Sequence, residues 1–310
     1  MKNTTGLMNA SALRAALLRV ARMPAVWLPA TTLALMIGAG CSSKTYLMPT
    51  PHIYTHADWD PFADVPAALQ TDEVPVLYVT DRAPTAEDRD AWEYGHGRSR
   101  SAAFGEAVVR IGDELTWDEV VQASRSEKRG KKLELSMAAT NELARFGKTP
   151  PALVITDAQF AAGRRPQQDP AQAEAERRFL EQLTQRLAET HRKEVFIYVH
   201  GFNNSFEDAV LTTAEMWHFL GREGVPICYT WPAGQGMIRA YEYTLASTQF
   251  TIYHFKQALR LIASCPEVER VNILAHSRGT EVTADTIREL YLEIRATTDA
   301  QQALKLGTVI

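Results

Sequence analysis

Three apolar segments limit what this chain can fold into: EVFIYVHG (194–201), VPICYTWP (225–232) and RVNILAHS (270–277). Each is apolar on both faces, and each is separated from the next by a stretch with helical spacing. Such strands belong in a parallel sheet covered by helices on both sides, so the fold class read from them is α/β. The helices are expected at 205–224, with Ser205 as cap, at 237–264 and at 279–296. Upstream, Phe179, Leu180, Leu183 and Leu187 recur on one helical face, and Asp169 and Pro170 mark that helix's start. LKLGTVI (304–310) begins a fourth strand. The pattern weakens toward the N-terminus. There VPVLYVTDR (74–82) reads as a strand ending in a polar turn and AFGEAVVRIG (103–112) as another strand. Residues 83–101 read as a polar loop, and the basic run 125–132 as a solvated one.

The first 40 residues have a different character. They carry Lys2, Arg14, Arg19 and Arg22 and no acid, followed by a short apolar stretch and the small residues of IGAGC, ending at Cys41. These are the marks of a secretory signal. Small residues running into a cysteine resemble a bacterial lipoprotein signal, which implies a lipidated Cys41 and a membrane partner through that anchor. The location implied is the cell envelope, on the periplasmic side of the outer membrane. The domain reading is a signal at 1–40, a Pro-rich tether at 41–73 and one α/β domain at 74–310. With 310 residues, 45% of them hydrophobic, and a net charge of −4, the chain has the material for a large core. It has no sequence-wide basic field to attract nucleic acid. Cys228 and Cys265 read as buried thiols, and no cofactor or metal is expected.

In folds of this kind ligands meet the carboxyl ends of the strands. Ser277 stands there, in the stretch VNILAHSRGT, on a strand-to-helix turn. A nucleophile elbow needs small residues two before and two after the serine, and Ala275 and Gly279 fill those places. A second strand ends in His200-Gly201, where a loop amide can serve as an oxyanion donor. The expected donors are the Phe202 and Arg278 N–H groups, with Trp231 lining the pocket wall. YVHGFNNSFEDAV, YTWPAGQG and NILAHSRGTEV, with LYVTDR, YGHGRS and AFGEAVVRIG upstream, resemble a group of uncharacterised bacterial α/β-hydrolase-fold proteins, many of them lipoproteins. The resemblance implies an α/β-hydrolase-like, mostly parallel sheet and a serine nucleophile, but no known substrate.

A serine needs a base, and α/β-hydrolases supply it after the nucleophile, in the order Ser, Asp or Glu, His. The 33 residues after Ser277 contain no histidine. Asp285 and Asp299 lie in or near the helix behind the elbow. Among earlier histidines His200 is nearest in register, with packing and loop orientation as its competing role; His218 and His254 fall within helices, and His276 points away from its neighbour. The acid and base are therefore expected beyond Ile310, with the domain incomplete at its C-terminus and inactive as the 310-residue chain. The expected function is a serine hydrolase of the envelope acting on a small-molecule ester, thioester or amide. The alternative is a non-catalytic, membrane-tethered binding or structural module with the same fold.

Overall fold

The computed structural model describes residues 44–56, 60–86, 93–149, 170–234, 238–295 and 299–310. The signal segment, Cys41 and the cap at Asp169 lie outside the described residues. Among the described residues eight strands form one sheet: β1 (Thr45–Tyr46), β2 (Glu73–Ala86), β3 (Glu93–Ile111), β4 (Glu134–Arg145), β5 (Glu194–Val199), β6 (Val225–Thr230), β7 (Arg270–Ala275) and β8 (Leu306–Val309). Their order is β1-β4-β3-β2-β6-β5-β7-β8. From β2 to β8 the pairs are parallel, and from β2 back to β1 they are antiparallel. The sheet is thus mixed and mostly parallel.

Five longer helices cover it: α1 (Trp117–Arg125), α2 (Pro170–Ala188), α3 (Phe206–Phe219), α4 (Ile238–Ser264) and α5 (Arg278–Ile294). The double-sided apolar strands explain the layering. Val195, Ile197 and Val199 of β5 face a core built with Phe179 and Leu183 of α2, Phe255 and Leu259 of α4, and Val282 and Leu290 of α5. The opposite core holds Val74, Val76 and Tyr78 of β2 with Val120 of α1 and Val210, Ala214 and Trp217 of α3. The start of α3 is set locally: Ser205 and Asp208 form a reciprocal capping box, each side chain accepting the other's backbone N–H.

Two sequence expectations need correction. In its described part the stretch 83–101 is not a loop: β2 runs on to Ala86 and β3 begins at Glu93, with register shifts after Thr80 that accommodate Pro84 and the facing glycines. Nor is 44–73 a free tether in its described part. Leu47, Phe62, Val65 and Leu69 are buried in the second core, and β1 pairs with β4. Their burial answers the tether's apolar residues, which a solvated linker would leave in water. Arg129, in the run read as solvated, donates to the carbonyls of Ala123 and Leu47 and pins this segment.

Candidate active site

The central strands run out at one level. Register pairs Val199 with both Ala275 and Tyr229, and Thr80 with Thr230. His200, Thr230 and His276 therefore stand side by side where β5, β6 and β7 end, while β2 runs on past Thr80. Adjacent β5 and β7 send their chains to opposite faces, because α3 packs in one core and α5 in the other. A crevice opens where neighbouring strands part in this way.

Ser277 sits at the rim of this crevice, exposed, between β7 and α5. Its backbone is at φ 53° and ψ −119°, and its side chain makes no capping bond to α5. A non-glycine residue in that region costs on the order of 1–3 kcal/mol and persists only where its surroundings enforce it. The surroundings are two close approaches. A Cβ on Gly279 would lie 2.4 Å from the Val199 carbonyl oxygen and 2.5 Å from that of His200. A Cβ on Gly201 would lie 2.9 Å from the Ser277 Cβ. The loop after β5 is thus pressed directly against the elbow after β7. The His276 N–H donates to Val199 O, the Gly279 N–H to His276 O and the Thr280 N–H to Ser277 O. Among the described residues, the Phe202 and Arg278 amides donate to no other group. The Arg278 side chain turns aside, to Glu281 Oε2 at 2.5 Å and to the Tyr241 hydroxyl.

The histidines divide by what they touch. His200 is fully buried, with Nδ1 2.8 Å from Gly201 O while Nε2 accepts from the Trp231 N–H at 3.0 Å. Burial and then the nearby Arg82 cation lower its pKa to about 3, so it is a neutral, fixed imidazole. His254 lies under the sheet, 3.0 Å from Asp81 Oδ2 and 2.5 Å from Thr149 Oγ1. His218 faces the other core, between Ser124 Oγ and Arg222 Nε. His276 is exposed beside Gly201. Among the described residues no hydrogen bond reaches the Ser277 hydroxyl. Asp285 pairs with Arg288, and Asp299 caps the short helical turn Ala300–Ala303. Two cavities, of 430 Å³ beside Tyr94 and Phe206 and of 400 Å³ beside Phe196 and Leu274, do not include Ser277.

Trp231 does not line a cavity wall. It is fully buried, stacked on His200 at an interplanar angle of 1°, and its indole N–H donates to His200 O at 2.8 Å. It supports the loop from beneath. The polar turn expected at Asp81-Arg82 is also corrected: both residues are completely buried. The Arg82 guanidinium reaches Thr230 Oγ1 (2.9 Å), Gly95 O (3.1 Å), Asn204 O (2.8 Å) and His200 Nε2 (3.3 Å). Burial lowers its pKa to about 10, so it remains charged at neutral pH. His96 stands above it, Nδ1 2.9 Å from Ala233 O. The signal that could have found Arg82 was its position: a cation directly after an apolar run that reaches the carboxyl edge of an α/β sheet.

The mostly parallel sheet with helices on both faces defines an α/β architecture. Residues 175–310 match the family model described as alpha/beta hydrolase of unknown function (DUF900). No curated protein and no solved structure matches the chain.

Proposed function

We propose that the protein is a serine hydrolase acting on an ester, thioester or amide. Ser277 Oγ attacks the carbonyl carbon, and the carbonyl oxygen, now carrying the charge, is held by the Phe202 and Arg278 amides. The leaving alcohol, thiol or amine takes up the proton, and water then cleaves the acyl-serine. The observation that carries this reading is the strained, exposed backbone of Ser277 facing a loop whose next amide is unengaged. Base and acid come, in this reading, from outside the described residues. Covalent labelling of the full-length gene product by a fluorophosphonate tests it, with Ser277→Ala as control. Labelling of the wild type alone is expected; equal labelling of the two would sink the reading.

The same proposal places the enzyme at the cell envelope, anchored by lipid on Cys41, as the small residues before that cysteine support. Cys41→Ser is expected to move the protein from the membrane fraction to the soluble one. Among the described residues no helix is long and apolar enough to cross a membrane. One observation favours a second reading, a tethered module without catalysis: none of the described histidines hydrogen-bonds to the Ser277 hydroxyl. An unlabelled wild type is the outcome that selects it.

A further inference from the structure

We infer that Arg82 is a positioning residue for the oxyanion donor: its guanidinium holds the 200–204 loop so that the Phe202 N–H faces Ser277. This rests on the hydrolase reading above. A buried cation without a carboxylate among its direct contacts is costly unless each of its nitrogens finds an acceptor. Here Nε goes to Thr230 at the end of β6, one terminal nitrogen to Gly95 O at the start of β3, and the other to Asn204 O and His200 Nε2. One side chain thus ties three segments to the carboxyl edge of the sheet.

The consequence follows from peptide geometry. In a planar trans peptide the C=O and the following N–H point in opposite directions. Arg82 draws the Asn204 carbonyl inward, and the Ser205 N–H turns outward to Asp208. Arg82 and the Trp231 N–H both approach His200 Nε2, which must then accept, and this leaves the proton on Nδ1. Nδ1–H donates to Gly201 O, and the Phe202 N–H, on the opposite side of the same planar peptide, is thereby turned away from the ring. The line of control runs from guanidinium to imidazole tautomer to peptide plane.

Arg82→Lys and Arg82→Met test this, with Thr230→Val as a milder variant that keeps the arginine. Two readouts apply to the full-length gene product. One is hydrogen exchange of the peptide spanning 200–206. The other is fluorophosphonate inactivation, divided into the binding constant and the maximal labelling rate. Faster exchange is expected in that peptide and not in β5 or β7. The labelling rate is expected to fall roughly 10²-fold for the arginine variants, as for loss of one oxyanion donor, and severalfold for Thr230→Val, with binding unchanged within about twofold. If exchange in 200–206 is unchanged, or if the labelling rate per folded molecule matches wild type, Arg82 has no positioning role although the hydrolase reading stands. A wild type that is not labelled overturns both.

Discussion

The sheet carries the same trio at both poles. At the carboxyl edge, Arg82, His200 and Trp231 are buried together; at the amino edge, buried Arg222 and His218 with half-buried Trp117 form the counterpart. Each arginine contacts backbone carbonyls and a histidine rather than a carboxylate. The difference lies in whose carbonyls they are. Arg82 holds Gly95 at the start of β3 and Asn204 in the loop that presses against the elbow. Arg222 donates to Leu69 O (2.6 Å) and Glu73 O (3.0 Å), stitching the 60–73 segment to the start of β2, and its guanidinium lies 4.9 Å from the Trp117 ring. Similar chemistry therefore serves a site at one end and a fold at the other. Among the described residues one nitrogen of Arg222 has no hydrogen-bond partner, whereas each nitrogen of Arg82 has one.

Arg222→Met gives the largest expected contrast. It strands two carbonyls and the His218 Nδ1, for a loss on the order of 3 kcal/mol. For a domain of this size that corresponds to a melting temperature roughly 10 °C lower. Labelling of Ser277, counted per folded molecule, is expected to be unchanged. A labelling loss as large as that of Arg82→Met would erase the distinction between the poles.

Both poles were only partly legible in the sequence, for one physical reason. The strands 194–199, 225–230 and 270–275 announced themselves through local apolar runs, and the elbow through the residues flanking Ser277. Ser205 read correctly as a cap because its partner Asp208 is three residues away. Burial of Asp81, Arg82 and Arg222 depends instead on distant partners. Thr230 is 148 residues from Arg82, and Leu69 is 153 from Arg222. Without those partners a charged pair after a strand reads as a turn. The β2–β3 pairing was hidden similarly: its glycines and prolines signal a loop, and the bulges that accommodate them exist only once the strands pair. The described part of 44–73 resembled a linker because its apolar residues are spaced irregularly and find their core on α3 and β2.

Acid titration gives a second, smaller test. His200 and His218 are both held neutral, chiefly by burial and then by the arginine beside each. In the unfolded chain they take up protons near pH 6.5. A native pKa below the unfolded one means the unfolded state binds more protons, so stability is intact above pH 6.5 and falls as pH drops toward 3. Two such groups give a slope of about 2.7 kcal/mol per pH unit below their unfolded pKa. Between pH 6 and 5, chemical denaturation of His218→Gln is expected to show about half that slope. An unchanged slope would mean that the amino pole contributes no proton linkage.

The tryptophans give the finest distinction. Trp231→Phe keeps a ring against His200 but removes the indole N–H that reaches the His200 carbonyl, a loss of about 1 kcal/mol. Trp117→Phe keeps a ring near Arg222 but weakens the cation–π contact, which is worth about 0.5–2 kcal/mol. The two variants are therefore expected to melt within a few degrees of each other. They should separate in labelling, because the His200 carbonyl is also the atom against which Gly279 closes the elbow. Trp231→Phe is expected to slow labelling severalfold while Trp117→Phe leaves it at the wild-type rate. Equal rates would reduce the carboxyl pole to the role of its counterpart, a buried brace with no hold on the serine.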